Sequence, residues 1–389
     1  MATRMETSSG RGTATAHRGA AVRRIASAMP AWVWWLAGIA IAAGFPLLNV
    51  IGVVETAWLR VGVVSLIFAL LALGLNIVMG ETGLLNLGYI AFFAFGAYTT
   101  ALLSSPKFEI HWPFLAVIVA STLVAMVAGF LISLPTLRLR GDYLAIVTLA
   151  FGEIVRLTII NLVPLTNGPN GITGIYPPRL FADARPALEG IEAWFIIDKP
   201  LEYYYLVLVC VVVLAVLLTN LKNSRIGRAW NALREDELAA ISSGITAVRA
   251  KMLSVVLSAG IAGFAGSLFA YYSNVISPES FLFMQSVIVV CMVVLGGMGS
   301  IPGVMLGAIA LQALPQLIRE AAGAARSDFE VYRMLIYGVL IVVMVIVRPE
   351  GLLPDKIFRR EAHEVDPREL EMTRQSLFDL EEGEKDLEV

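Results

Sequence analysis

The chain is cut into apolar runs of about 20 residues, the length an α-helix needs to cross the hydrocarbon core of a bilayer. Such runs lie near residues 32–53, 61–79, 84–104, 113–134, 143–162, 203–220 and 252–272. A segment that spans a membrane must close its backbone hydrogen bonds internally or within a sealed barrel. Long runs with few internal charges specify helices, so the expected fold class is an all-α integral membrane protein, a polytopic helix bundle. The charge content agrees. Asp, Glu, Lys and Arg make up 15% of the 389 residues, against about 25% in soluble domains.

From Phe283 to Ile318 the chain stays apolar but is interrupted by GGMGSIPG, Gly296–Gly303. It is either one irregular crossing or two short helices meeting at a glycine turn. Lys and Arg concentrate in cytoplasmic loops, and that bias chooses between the two. If Arg4, Arg11, Arg18, Arg23 and Arg24 lie inside, so do the loop bearing Arg138 and Arg140 and the basic segment 221–251, while the acid-rich loop 163–202 lies outside. Arg348, Lys356, Arg359 and Arg360 follow the last run and also belong inside, which requires an even number of crossings. Helices at 284–297 and 303–318, with a last span at 332–347, give about ten spans; a single crossing there gives nine. The expected plan is a basic cytoplasmic tail over 1–30, a transmembrane domain over 31–354 and an acidic cytoplasmic tail over 355–389. The first run is too long and too rich in Trp for a cleaved signal, so the basic tail is read as an orienting flank.

One segment breaks the apolar pattern: SRIGRAWNALREDELAAISSGI, Ser224–Ile245. Placing Arg234–Ile245 on one helix gathers Leu233, Leu238, Ile241 and Ile245 into an apolar stripe. Arg225, Arg228, Arg234, Glu235, Asp236 and Glu237 lie on or near its polar side, and Gly244 can take the positive φ that closes a helix. Mixed charge argues against a helix lying in lipid, which is richer in Lys and Arg. The residues alone leave two readings open, a docking helix for another protein and a solvated loop.

Ionisable residues inside a membrane are functional candidates. Glu153 and Arg156 stand at i and i+3 on the fifth span, so they are either a self-neutralising pair or part of a path. Asn76 and Asn86 flank the GETG turn and are expected to bond between helices. Asn86 is also kept as a path candidate. Gly296, Gly297, Gly299 and Ser300 mark a helix break where a gate or path could sit. Gly299, Gly303 and Gly307, and likewise Gly260, Gly263 and Gly266, have the spacing of close-packing small faces. His17, His111 and His363 are scattered, and Cys210 and Cys291 fall inside apolar runs. No Gly-Lys dipeptide occurs, so the chain has no phosphate-binding loop of its own. It is expected to be non-catalytic, with no cofactor or metal of its own and no nucleic-acid partner.

Several segments together resemble a family. IGRAWNALREDELAAISSGI is similar to the cytoplasmic coupling segment of ABC-importer permeases, with an Ala-Ala-x-x-x-Gly core at Ala239, Ala240 and Gly244. The wider motif places Glu directly before the two alanines; here Leu238 intervenes after Glu237. GETGLLNLGYIAFFAFGAYTTALL (80–103), LRGDYLAIVTLAFGEIVRL (139–157) followed by NGPNGITGI (167–175), VVLGGMGSIPGVMLGA (293–308) and RPEGLLP (348–354) resemble the LivM type of branched-chain amino acid permease. The likeness covers roughly residues 55–355 and implies a permease subunit in a bacterial or archaeal cytoplasmic membrane. It implies ATPase-coupling roles for Arg228, Arg234, Glu235, Asp236, Glu237, Ala239, Ala240 and Gly244. The implied partners are two cytoplasmic ATPases that bind ATP and Mg, a second, LivH-like permease and an extracytoplasmic substrate-binding protein. Branched-chain amino acids are the expected cargo, with urea or short amides as the alternative within the family. A stand-alone ion-coupled transporter is the alternative outside it. That class needs membrane carboxylates, for which Glu153 is the one good candidate.

Overall fold

The computed structural model describes residues 38, 40–47, 55–105, 112–136, 142–178, 199–322, 338, 339, 342, 343, 346 and 351–353. The expected spans at 32–53 and 332–347 and both tails lie wholly or largely outside these residues. Helix α1 (Thr56–Asn76) is apolar on all sides, and every residue from Ser65 to Asn76 is buried. A helix with no polar face belongs at the centre of a bundle. It runs into a π-helical turn, Ile77–Glu81, and after a non-helical stretch come α2 (Ile90–Leu103), α3 (Phe114–Thr136) and α4 (Asp142–Asn161). A short helical turn α5 (Val163–Thr166) and strand β1 (Ile172–Thr173) follow. Next come α6 (Pro200–Lys222), α7 (Arg225–Glu235), α8 (Glu237–Ser242) and α9 (Ala247–Ser273). Strand β2 (Val275–Ile276) pairs antiparallel with β1, and α10 (Phe283–Gly296) and α11 (Ile301–Ala322) complete the order. Among the described residues six helices are long and apolar enough to cross a membrane, and α2 and α10 are shorter apolar helices.

Small side chains set the packing. On α3 the buried positions Val117, Ser121, Ala125, Gly129 and Ser133 recur every four residues, and this stripe faces α9. Gly263 of α9 is caught between Ala125 of α3 and Gly96 of α2, and Gly266 lies against the Phe93 carbonyl. Any Cβ there would collide, so the glycines permit the close approach. The outer residues Leu115, Val119, Leu123, Val127, Leu131 and Leu134 of α3 are exposed, as expected of a surface that faces lipid.

The run expected as a full span over 84–104 is helical only from Ile90. Gly83 takes φ +70°, which ends the preceding turn. Non-helical backbone at membrane depth survives only where protein satisfies it, and here it does. The Leu87 N–H donates to Thr148 Oγ1 at 3.1 Å, the Gly88 N–H to Asn86 Oδ1 at 3.1 Å, and the Ile90 N–H to Ser286 Oγ at 3.4 Å.

The stretch Phe283–Ile318 resolves into two helices and a glycine turn. Gly296 and Gly303 meet backbone to backbone, and Gly307 lies against the Met292 carbonyl. Gly299 sits in the turn at φ +81° rather than on α11, so Gly303 and Gly307 carry the helix packing without it. The bundle has two ends. At one, the Tyr176 N–H reaches the Ser104 carbonyl and Gly174 that of Asn274. At the other lie the π-turn, the glycine turn and the amphipathic segment.

Candidate functional site

The amphipathic segment is two helices, not the single one expected over Arg234–Ile245. Ser224 opens α7, its Oγ accepting from the Ile226 and Gly227 amides. Asp236 breaks the helix with an extended backbone, φ −150° and ψ 112°, and its Oδ1 accepts from the Leu238 and Ala239 amides at 2.8 and 3.0 Å. A carboxylate that caps the next helix competes with continuation of the first, and that competition makes the kink. Helix α7 buries Gly227, Trp230 and Leu233, and Trp230 Nε1 donates to the Ala250 carbonyl at 2.8 Å. Burying that indole stabilises the attachment by on the order of 4 kcal/mol.

The spacing of Ala240 and Gly244 has a local cause. The Ile245 N–H bonds the Ala240 carbonyl at 3.1 Å and the Gly244 N–H bonds that of Ile241 at 2.9 Å. This pair of bonds is the Schellman closure, which requires a residue with positive φ at the position of Gly244, here at +87°. Ala240 is 4% exposed and packs with Leu233, Ala247 and Ile245. The expected apolar stripe is therefore split. Leu233 points inward, whereas Leu238 and Ile241 are 74% and 48% exposed, because α8 after the kink turns Ala240 to the interior instead.

Much of the segment's charge is engaged within the chain. Arg234 Nη1 donates to the Gly80 carbonyl at 2.6 Å. Glu237 Oε1 lies 2.7 Å from Lys251 Nζ on α9, and Asp236 serves as the cap. Arg228, Glu235 and Ala239 are exposed. Below the segment the two helix breaks meet. The Gly299 N–H donates to Asn76 Oδ1 at 2.8 Å, and Lys222 Nζ lies 3.1 Å from Glu81 Oε1 and bonds the Gly299 carbonyl. Ser300 Oγ accepts the Gly303 N–H at 3.3 Å at the start of α11, and Gly297 takes φ +108°. From RPEGLLP, the Leu352 and Leu353 amides bond the Leu295 and Gly296 carbonyls at 2.8 and 3.1 Å, satisfying acceptors left open at the end of α10.

The other sequence candidates lie elsewhere. Glu153 and Arg156 pair with each other on α4, with side chains 39% and 21% exposed. Asn86 lines a narrow, mostly apolar cleft with Val78, Leu84, Thr136, Thr148 and Val255. Sequence reading missed Glu81, Lys222, Trp230 and Lys251. The spacing Gly227, Trp230, Leu233 carried a helical signal for the indole. Nothing in sequence pairs the isolated charges Glu81 and Lys222.

Discontinuous membrane helices tied to an exposed amphipathic segment form the layout of a membrane transport permease. Residues 57–345 match the family described as "Branched-chain amino acid transport system / permease component". The chain is 45% identical over 327 residues to the high-affinity branched-chain amino acid transport system permease protein LivM of Escherichia coli K12, covering 81% of this chain and 73% of that protein. It is 43% identical over 330 residues to LivM of Salmonella typhimurium LT2, covering 82% and 74%. With LivH of the latter organism the identity is 26% over 291 residues, covering 74% and 91%. No solved structure matches the chain significantly. The chain belongs to this family of branched-chain amino acid transport permeases.

Proposed function

We propose that the chain is the permease subunit of an ATP-driven importer for leucine, isoleucine and valine. The observation that carries this reading is the two-sided α7–α8 segment, bonded inward to the π-turn through Arg234 and to α9 through Glu237, and presenting Leu238 and Ile241 outward. Of two cytoplasmic ATPases, which supply the ATP and Mg sites, one docks on Leu238, Ala239 and Ile241, with Arg228 and Glu235 at the rim setting register. A LivH-like permease forms the other membrane half, and a binding protein outside delivers the cargo. The names of the LivM relatives support the branched-chain assignment. In this reading about ten spans place both termini in the cytoplasm, on the side of the glycine turn and the docking segment.

The test is reconstitution in liposomes with the partner ATPases, second permease and binding protein. Leucine uptake that requires ATP and the binding protein is the expected result. Uptake of urea or a short amide without leucine would reassign the cargo. Uptake by this chain alone under an ion gradient would overturn the importer reading.

A further inference from the structure

Lys222, the last residue of α6, is placed between two helix breaks. Its Nζ lies 3.1 Å from Glu81 Oε1, and the Glu81 side chain is only 7% exposed. The same ammonium bonds the carbonyl of Gly299, whose own N–H is held by Asn76 at the end of α1. One residue before Glu81, the Gly80 carbonyl accepts from Arg234 of α7. The ends of α1 and α6, helix α7 and the α10–α11 turn therefore meet around the Lys222–Glu81 pair.

Stability alone is a weak reason for such a pair. Withdrawing charges from water is costly, and well-packed apolar replacements for buried pairs are often neutral or stabilising. Two features of the surroundings favour a functional role over a purely structural one. Glu81 closes a π-helical turn, a feature frequent at functional sites. The pair also lines a small cleft together with Asn76, Ile77, Leu218 and Trp230, so it is not sealed by apolar packing on every side. The Lys222 charge holds the Glu81 carboxylate at the end of the π-turn and the Gly299 carbonyl in the glycine turn at once.

We infer that Lys222 and Glu81 are a positioning pair for transport, keeping the π-turn, the glycine turn and α7 in one register so that displacement of α7 reaches both helix breaks together. The inference rests on the ATP-driven reading above. Neither residue touches cargo or nucleotide in this role.

The measurement is leucine moved per ATP hydrolysed, in liposomes holding the complete complex. Glu81→Gln keeps the shape and removes the charge, Lys222→Met keeps the stem, and Lys222→Arg keeps the cation. The Gln and Met variants are expected to assemble at wild-type abundance and still hydrolyse ATP, while leucine per ATP falls roughly ten-fold, within the usual range of coupling between sites. The Arg variant is expected to keep most of the wild-type ratio. An unchanged ratio in Glu81→Gln overturns the inference. So does failure of that isosteric variant to assemble, since the pair is then a folding staple. If the wild-type complex itself shows no ATP-dependent uptake, the importer reading fails instead, and the wild-type control separates that outcome from the others.

Discussion

Asn76 Oδ1 accepts the Gly299 amide at 2.8 Å across 223 residues of chain. The end of the most buried helix therefore holds the turn between two others. Gly80 makes room for this bond, because a Cβ there would lie 2.5 Å from the Gly299 nitrogen. Asn76→Leu has similar size and removes the acceptor. It leaves a buried N–H unpaired at a cost of about 1 kcal/mol in a membrane protein. The expected result is a lower thermal midpoint in detergent. An unchanged midpoint would mean that the bond adds nothing to the fold.

At Gly299 itself the constraint is conformational. Its φ of +81° costs an ordinary L-residue about 1–2 kcal/mol. Gly299→Leu is expected to impair assembly or uptake, and Gly299→Asn, which tolerates this region better, to impair it less. Equal behaviour of the two would remove the conformational account.

The even-span topology has its own test. Cysteines introduced at Gly10 and Glu382 should both resist a membrane-impermeant thiol reagent applied from outside. Labelling at Glu382 alone would mean an odd number of spans.

The membrane helices were legible because long apolar runs have few alternatives in a bilayer. The two-helix reading of Phe283–Ile318 was legible because glycine marks a break. Other features depend on context that spacing does not carry. Ile90 opens α2 late because Thr148 and Ser286 can satisfy the broken backbone before it, and those partners come from distant segments. Asp236 fits the polar side of a continuous helix as well as it fits a cap, so the kink between α7 and α8 was hidden. Leu238 looked like a core residue by type, yet the kink turns it outward. Glu81 and Lys222 are single charges at the ends of two spans, and only the folded bundle makes them partners.

Gly244 gives a separable prediction. Its φ is +87°, but no atom lies within 4 Å of where a Cβ would stand. Space is therefore not the constraint. Gly244→Asn should retain transport, since Asn accepts positive φ. Gly244→Val should lose the Schellman closure and reduce co-purification of the ATPase, because a β-branched residue is a strong outlier there. Both variants should insert normally, as the spans are untouched. Loss of activity in Asn and Val alike would point to a steric role after all.

Neighbouring alanines separate the inner and outer jobs of α8. Ala240 is buried against Leu233 and Ala247, so Ala240→Arg places a charge in a small apolar cluster and should unfold the segment, seen as new protease cleavage near residue 240. Ala239 is exposed beside Leu238, so Ala239→Arg should leave the segment protease-resistant. If α8 enters a groove on the ATPase, Ala239→Arg and Leu238→Glu should each reduce ATPase co-purification by roughly ten-fold or more, as a charge at the centre of an interface costs several kcal/mol. Neither should alter the binding protein's affinity for leucine. A stably folded Ala239→Arg variant that retains both the ATPase and ATP-driven uptake would remove α8 from the docking surface and leave the segment as a solvated loop.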